Sequence, residues 1–146
     1  MPNILSNFPN GFAGGVNIRG LPILNTYGNK VFWVHSGTGS NGNDGSFQRP
    51  WATVDYAVGQ CTTARGDVIM VKAGHAESFA AAAGIDADVA GISIVGLGTG
   101  IDMPEFTFTD AAADIDIDAN NITFKNLKFI CNIASQTFMI DVNSDD

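Results

Sequence analysis

From residue 66 onward the apolar residues come in short runs separated by Gly, Asn and Asp. Val68-Ile69-Met70-Val71 is closed by Lys72-Ala73-Gly74, and Ile92-Ser93-Ile94-Val95 by Gly96-Leu97-Gly98. Further runs follow at 115–118, at Ile122-Thr123-Phe124, at Leu127-Lys128-Phe129-Ile130 and at 138–142. Runs this short, bounded by turn formers, predict strands, as does Lys30-Val31-Phe32-Trp33-Val34-His35. Residues 50–65 follow another period. Val54, Ala57, Val58 and Cys61 recur at helical spacing, Thr53 is placed to cap the N-terminus, Asp55 lies in the first turn, and Gly66 follows as a stop. The pattern predicts one helix over 50–65, with Trp51 packed beneath it or at its start.

The strand region repeats itself. Ile85-Asp86-Ala87-Asp88-Val89-Ala90-Gly91-Ile92-Ser93-Ile94 aligns without gaps on Ile115-Asp116-Ile117-Asp118-Ala119-Asn120-Asn121-Ile122-Thr123-Phe124, and Leu97 then falls on Leu127, an offset of 30 residues. Met139-Ile140-Asp141-Val142-Asn143 suggests a third register about 24 residues past Ile115. Alternation places Ile or Ala on one face and Asp on the other. A strand of three or four residues cannot bury its apolar face alone, but the same strand one coil later can cover it by parallel pairing. The expectation is an all-β chain: a right-handed parallel β-helix, or solenoid, with Asn120, Asn121, Asn126 and Asn132 at corners. Phe124, Phe129 and Phe138 are expected to stack inside it with Ile115, Ile117, Ile122 and Leu127. The repeat runs out at Asp146, within a third or fourth coil, so a neighbour or further coils are expected to cover that end of the stack.

Residues 1–30 differ. Pro2, Pro9 and Pro22 with Gly11, Gly14, Gly15 and Gly20 punctuate short apolar stretches, which predicts an irregular, extended arm. Phe8, Phe12, Val16, Ile18, Leu21, Ile23 and Leu24 are too many apolar groups for a free tail, so the arm packs on another subunit or folds back on its own body. The reading divides the chain into an arm, 1–30, and a single domain, 31–146.

Composition sharpens this picture. The 146 residues include 17 Gly and 13 each of Asn and Asp but only 7 Lys plus Arg, which favours turns and strands over long helices. A hydrophobic share of 45% with 15% charged residues excludes a disordered chain. Net charge is −8 and unevenly placed: residues 1–65 balance at +2 and residues 66–146 at −10, with no arginine after Arg65. Such an acidic body argues against nucleic acid or an anionic membrane as partner. No stretch approaches the roughly 18–20 apolar residues of a spanning helix, and the first residues lack the basic and apolar regions of a secretory signal. Cys61 and Cys131 lack metal-ligand spacing and are read as two buried thiols.

Two stretches carry a resemblance. Gly45-Ser46-Phe47-Gln48-Arg49-Pro50-Trp51-Ala52-Thr53-Val54-Asp55-Tyr56-Ala57, followed by Arg65-Gly66-Asp67-Val68-Ile69-Met70-Val71-Lys72-Ala73-Gly74, resembles the opening of pectin-lyase-like β-helices, in which a short helix plugs the first coil. Asn7-Phe8-Pro9-Asn10-Gly11-Phe12-Ala13-Gly14-Gly15-Val16, Val31-Phe32-Trp33-Val34 and Gly74-His75-Ala76-Glu77 are similar to virion-associated proteins of tailed bacteriophages within that superfamily. The resemblance implies an N-terminal capping helix and a structural role in the particle, as a head decoration or in a tail fibre. It also implies a location in the virion assembled in the host cytoplasm, and contacts with copies of itself in a homotrimer and with the major capsid protein. The arm residues named above would make those contacts.

Candidate chemistry lies in two places. Asp86 and Asp88 are expected to stack near Asp116 and Asp118, with Asp114 nearby. Such a row suits a Ca²⁺ site, an acid/base pair for glycoside hydrolysis, or a solvated face that opposes aggregation, the last being preferred. The alternatives to a structural protein are therefore a tailspike fragment that binds or cleaves polysaccharide and a Ca²⁺-dependent adhesion module. The lyases of the superfamily need basic residues to hold an acidic sugar, which a body at −10 does not supply. His75 and Glu77 form a His-x-Glu pair, but zinc needs a third ligand and the only other histidine, His35, lies on another segment. Ser78 lies three residues from His75 without an orienting acid. No catalysis, metal or cofactor is expected.

Overall fold

The computed structural model describes residues 28–143 and, by backbone alone, two short segments of the arm, Val16–Ile18 and Leu21–Ile23. Those two segments are strands, β1 and β2, paired antiparallel with each other and, among the described residues, with no other strand. The arm thus carries a hairpin where the pattern predicts irregular chain, because Val16-Asn17-Ile18 and Leu21-Pro22-Ile23 are short enough to pair across the residues between them. Phe8, Phe12 and Leu24 lie outside the described residues.

Ten strands follow: β3 (Val31–Val34), β4 (Val68–Val71), β5 (Ala76–Phe79), β6 (Ile85–Ala87), β7 (Ser93–Gly96), β8 (Glu105–Phe108), β9 (Ile115–Ile117), β10 (Thr123–Lys125), β11 (Lys128–Cys131) and β12 (Ile140–Val142). They form three sheets in the orders β3-β4-β7-β10, β5-β8-β11 and β6-β9-β12, and every pairing in them is parallel. The protein is all-β with very little helix. The 30-residue repeat holds in register: Ile85 pairs with Ile115, Asp86 with Asp116, Ser93 with Thr123 and Ile94 with Phe124. The third register holds too, as Ile140, Asp141 and Val142 pair with Ile115, Asp116 and Ile117. The Thr123 N–H donates to the Ile92 carbonyl at 3.0 Å, and Ile92 and Ile122 are the residues just before the adjacent strands β7 and β10.

All three sheets turn their apolar face to one core. Ile69, Val71 and Ile94 come from the first sheet, Phe79, Phe106 and Phe108 from the second, and Ile85 and Ile115 from the third. Phe106 stacks between Phe79 and Phe129 at 5.7 Å on each side. Corners depend on close approach and left-handed backbone. Asn121 and Asn126 sit at φ 59° and 54°, and the Asn126 amide donates to the carbonyls of Gly96 and Gly98 at 2.9 and 3.0 Å. A Cβ on Gly96 would collide with the Asn126 backbone, so this corner requires glycine.

The helix is shorter than the pattern predicts. α1 spans Val54–Val58 and ends at Gly59, not at Gly66. Thr53 caps it, accepting from the Tyr56 N–H at 3.3 Å, and Val54, Ala57 and Val58 are buried as expected. The chain leaves the helix because Thr62 and Arg65 are drawn to Asp67 at the start of β4. The Asp67 carboxylate accepts from the N–H groups of Thr62 (2.9 Å) and Lys30 (2.8 Å) and from the Arg65 guanidinium (2.6 and 2.5 Å). Burial alone would raise the Asp67 carboxyl, but Arg65 and the two N–H groups outweigh it and hold it below the ordinary aspartate range. Trp51 is buried at the start of α1, edge-on to Tyr56 at 5.5 Å, with its indole N–H on the Asn43 carbonyl at 2.7 Å. Cys61 and Cys131 are free thiols, half-buried where full burial is expected, and burial pushes the Cys61 thiol up to about 12. Among the described residues no helix is long and apolar enough to cross a membrane.

Candidate functional site

The strands β3, β5 and β6 form one edge of each sheet, and β10, β11 and β12 form the other. The two sets of edges meet very different surroundings. α1 packs against β3, β4 and β6, and its Val54 N–H donates to the Glu77 carboxylate of β5 at 2.8 Å. Val34, Phe79 and Ile85 on the early edges are buried. Glu77 stands in register with Phe106 and Phe129, an acid on the apolar face of β5. It is tolerated there because it receives both the helix N–H and the His75 ring. A charge facing the core at an edge also discourages a further strand.

His75 is buried with both ring nitrogens engaged. The Ser36 N–H donates to Nδ1 at 2.9 Å, so the ring proton lies on Nε2, which donates to Glu77 at 2.7 Å. The Ser36 hydroxyl accepts from the Ala76 N–H at 2.9 Å, completing a link between the loop after β3 and the start of β5. No ring nitrogen is left for a metal, and His75 turns to Glu77 rather than to Ser78. His35 lies nearby, ring centroids 6.5 Å apart, and burial, then His75 and Lys72, lowers its pKa. Sequence spacing joins His75 to Glu77. It does not foresee Ser36 or Val54 as partners, since those contacts span 39 and 23 residues.

Asp86 and Asp116 stack as expected, with Asp141 extending the row, while Asp88 and Asp118 lie just beyond the ends of β6 and β9. Asp86, Asp116 and Asp141 lie in register across β6, β9 and β12. Burial raises the Asp86 carboxyl above the ordinary range, and Asp88, Asp118 and Asp55 add to it. Burial likewise raises Asp116, with Asp114, Asp118, Asp141 and Asp86 behind it. Among the described residues one enclosed Asp86 carboxylate oxygen has no hydrogen-bond partner, while the Asp86 N–H donates to Asp55 at 3.1 Å. Among the described residues the row is a stack of like charges with no cation paired to it. Among the described residues no three His, Cys, Asp or Glu side chains converge as metal ligands.

Among the described residues, exposed large apolar side chains are found at Val31 on the early edge, at Phe47 and Ile101 in connecting segments, and as a group of three at the late edge of the third sheet: Phe138, Ile140 and Val142. One column of aligned residues runs from Ile85 through Ile115 to Ile140, with exposures of 0%, 0% and 41%. The neighbouring column, from Ala87 through Ile117 to Val142, ends at 63% exposed. Phe138, expected inside the stack, is 47% exposed, because among the described residues no strand follows β12 to cover it. Phe124 and Phe129 do pack against the core. No family model, curated protein or solved structure matches the chain.

Proposed function

We propose that this chain is a structural component of a tailed-bacteriophage particle. In this reading the three sheets are the faces of one right-handed parallel β-helix, and α1 caps its first coil. The N-terminal arm, residues 1–30, docks on neighbouring subunits in a homotrimer and on the major capsid protein. The compact body suits a decoration of the head better than a long tail fibre. The observation that carries the reading is the column Ile85, Ile115, Ile140, covered at one edge and bare at the other. Apolar side chains left in water at a strand edge favour association. The resemblance of residues 45–74 to the opening of pectin-lyase-like proteins supports the β-helix, and the stretches at 7–16 and 74–77 support the virion role. The test is incorporation: deleting residues 1–24 abolishes entry into assembled particles while the body keeps its melting transition. Normal incorporation of the deletion overturns the proposal.

One observation favours a second reading, a tailspike fragment that cleaves host-surface polysaccharide. Asp86 and Asp116 both hold protons more tightly than ordinary aspartates, as a general acid must. Depolymerisation that disappears when Asp86, Asp88, Asp116 and Asp118 are changed to Asn would establish it over the first.

A further inference from the structure

The exposed residues of the late edges concentrate on β12. Ile140 and Val142 lie along it, Phe138 lies two residues before it, and its outer edge has no paired strand among the described residues. Beside it runs the acidic row of Asp116, Asp118 and Asp141, in a body whose balance is −10. The other late edges are less acidic: β10 ends at Lys125, and Lys128 of β11 is paired with Glu105 at 2.9 Å. An occupant of β12 must therefore be extended, apolar and basic.

One segment of the chain has all three properties. Residues 1–30 hold Arg19 and Lys30 with no acidic residue, and Phe8, Phe12, Val16, Ile18, Leu21 and Ile23 lie within them. β1 and β2 are three-residue strands, as β12 is, and among the described residues they pair only with each other. The arm's last residue, Lys30, precedes β3, and β3 and β10 are the two extremes of their sheet.

We propose that β12 is the docking site for the N-terminal arm of a second copy of this chain. Main-chain pairing would extend the β6-β9-β12 sheet by one strand, Val16 or Ile18 would cover Ile140 and Val142, and Arg19 would meet the acidic row. The contact is heterologous, arm to edge, so it propagates from copy to copy and closes into a ring when its rotation allows, three copies making a trimer. The inference rests on the assembly role of the arm argued above and names its partner.

Sedimentation velocity on the full chain tests it. The full chain associates with rising concentration, and association weakens as salt is added, because Arg19 faces carboxylates. An edge variant, Ile140→Lys with Val142→Lys, and an arm variant, Ile18→Asp with Arg19→Asp, each associate at least about tenfold more weakly. Circular dichroism matching the parent's is required of both variants, so that weaker association is not a loss of fold; the edge residues Ile140 and Val142 are exposed. Mixed together, the two variants form a 1:1 dimer and nothing larger, because one intact arm then finds one intact edge. A full chain that stays monomeric, variants that associate like the parent, or a mixture that stays monomeric overturns the proposal. Particle incorporation separates this from the wider reading. If the arm variant is excluded from particles and the edge variant is not, the arm serves another virion protein and β12 is not its site. If self-association passes every arm above but no copy enters particles, the docking stands and the virion role fails.

Discussion

The early and late edges of the three sheets are built from the same kind of strand and end in opposite ways. On the early side β3, β5 and β6 meet α1, Trp51 and an inward acid, Glu77, whose lone pairs are used by Val54 and His75. On the late side Phe138, Ile140 and Val142 are left in water. Ile85 and Ile140 belong to one column, so residue type does not explain the difference; what lies above the column does. A parallel stack propagates its own pattern and has no internal means of stopping. Among the described residues a different kind of element, α1, packs against the early strands β3 and β6 and against none of the late strands.

The largest way to break this comparison is at Asp67, which ties Lys30, Thr62 and Arg65 together beneath the covered edge. Asp67→Ala leaves three donors without their acceptor and is expected to cost about 3–5 kcal/mol in urea unfolding. The pH dependence has a definite sign. The folded pKa is depressed, so the stabilisation is complete above the ordinary aspartate value of about 3.9. It is lost as pH falls through the lower folded value. Acid unfolding of the parent that Asp67→Ala does not alter would contradict this.

The column itself gives the next test. Ile85→Ala or Ile115→Ala opens a cavity in a packed core and should cost about 2–5 kcal/mol. Ile140→Ala should cost under about 1 kcal/mol in dilute solution, where its side chain already meets water. Equal losses at Ile115 and Ile140 would mean that the late edge is covered in solution. A smaller effect is expected at Glu77. Glu77→Leu strips the Val54 N–H and His75 Nε2 of their acceptor, a loss of about 1–3 kcal/mol, confined to the covered edge. Protection of the Val54 and Tyr56 amides in hydrogen exchange should fall while that of β9 holds.

The smallest effect has the opposite sign. Asp86 and Asp116 have raised folded pKa values, so their ionised forms oppose folding. That opposition is present at neutral pH and fades as pH falls through the folded values. Asp86→Asn with Asp116→Asn should raise the Tm at pH 7, a gain of a few tenths of a kcal/mol that added salt diminishes. No gain at low salt would show that the row is neutralised by a bound cation or partner, and a chelator-sensitive Tm in the parent would identify the former.

The parallel stack was legible because its signal is local and repeated. Ile85-Asp86-Ala87 and Ile115-Asp116-Ile117 carry the same alternation 30 residues apart, and alternation alone says which side faces inward. β5 and β8 were harder to read. Ala76-Glu77-Ser78-Phe79 buries only Phe79 fully, and Glu77 points inward, reversing the pattern that sequence reading depends on. The helical spacing of Val54, Ala57, Val58 and Cys61 was real as far as Val58. It failed at Gly59 because Asp67 claims Thr62 and Arg65, a competitor that helical periodicity does not register. His75 and Glu77 were visible as a pair, and their task was not, since it depends on Ser36 and Val54 arriving from elsewhere in the chain.

By itself, then, the sequence determined the strand class, the parallel register, the acidic outer row and the cap residue Thr53, all of which follow from alternation and spacing within about thirty residues. Only the tertiary structure decided where α1 stops, which atoms His75 and Glu77 engage, and that Phe138, Ile140 and Val142 lie in water while Ile85 does not. The physical reason is that burial belongs to a position within the stack rather than to a residue. One isoleucine repeated along a column is core or surface according to whether another layer lies above it.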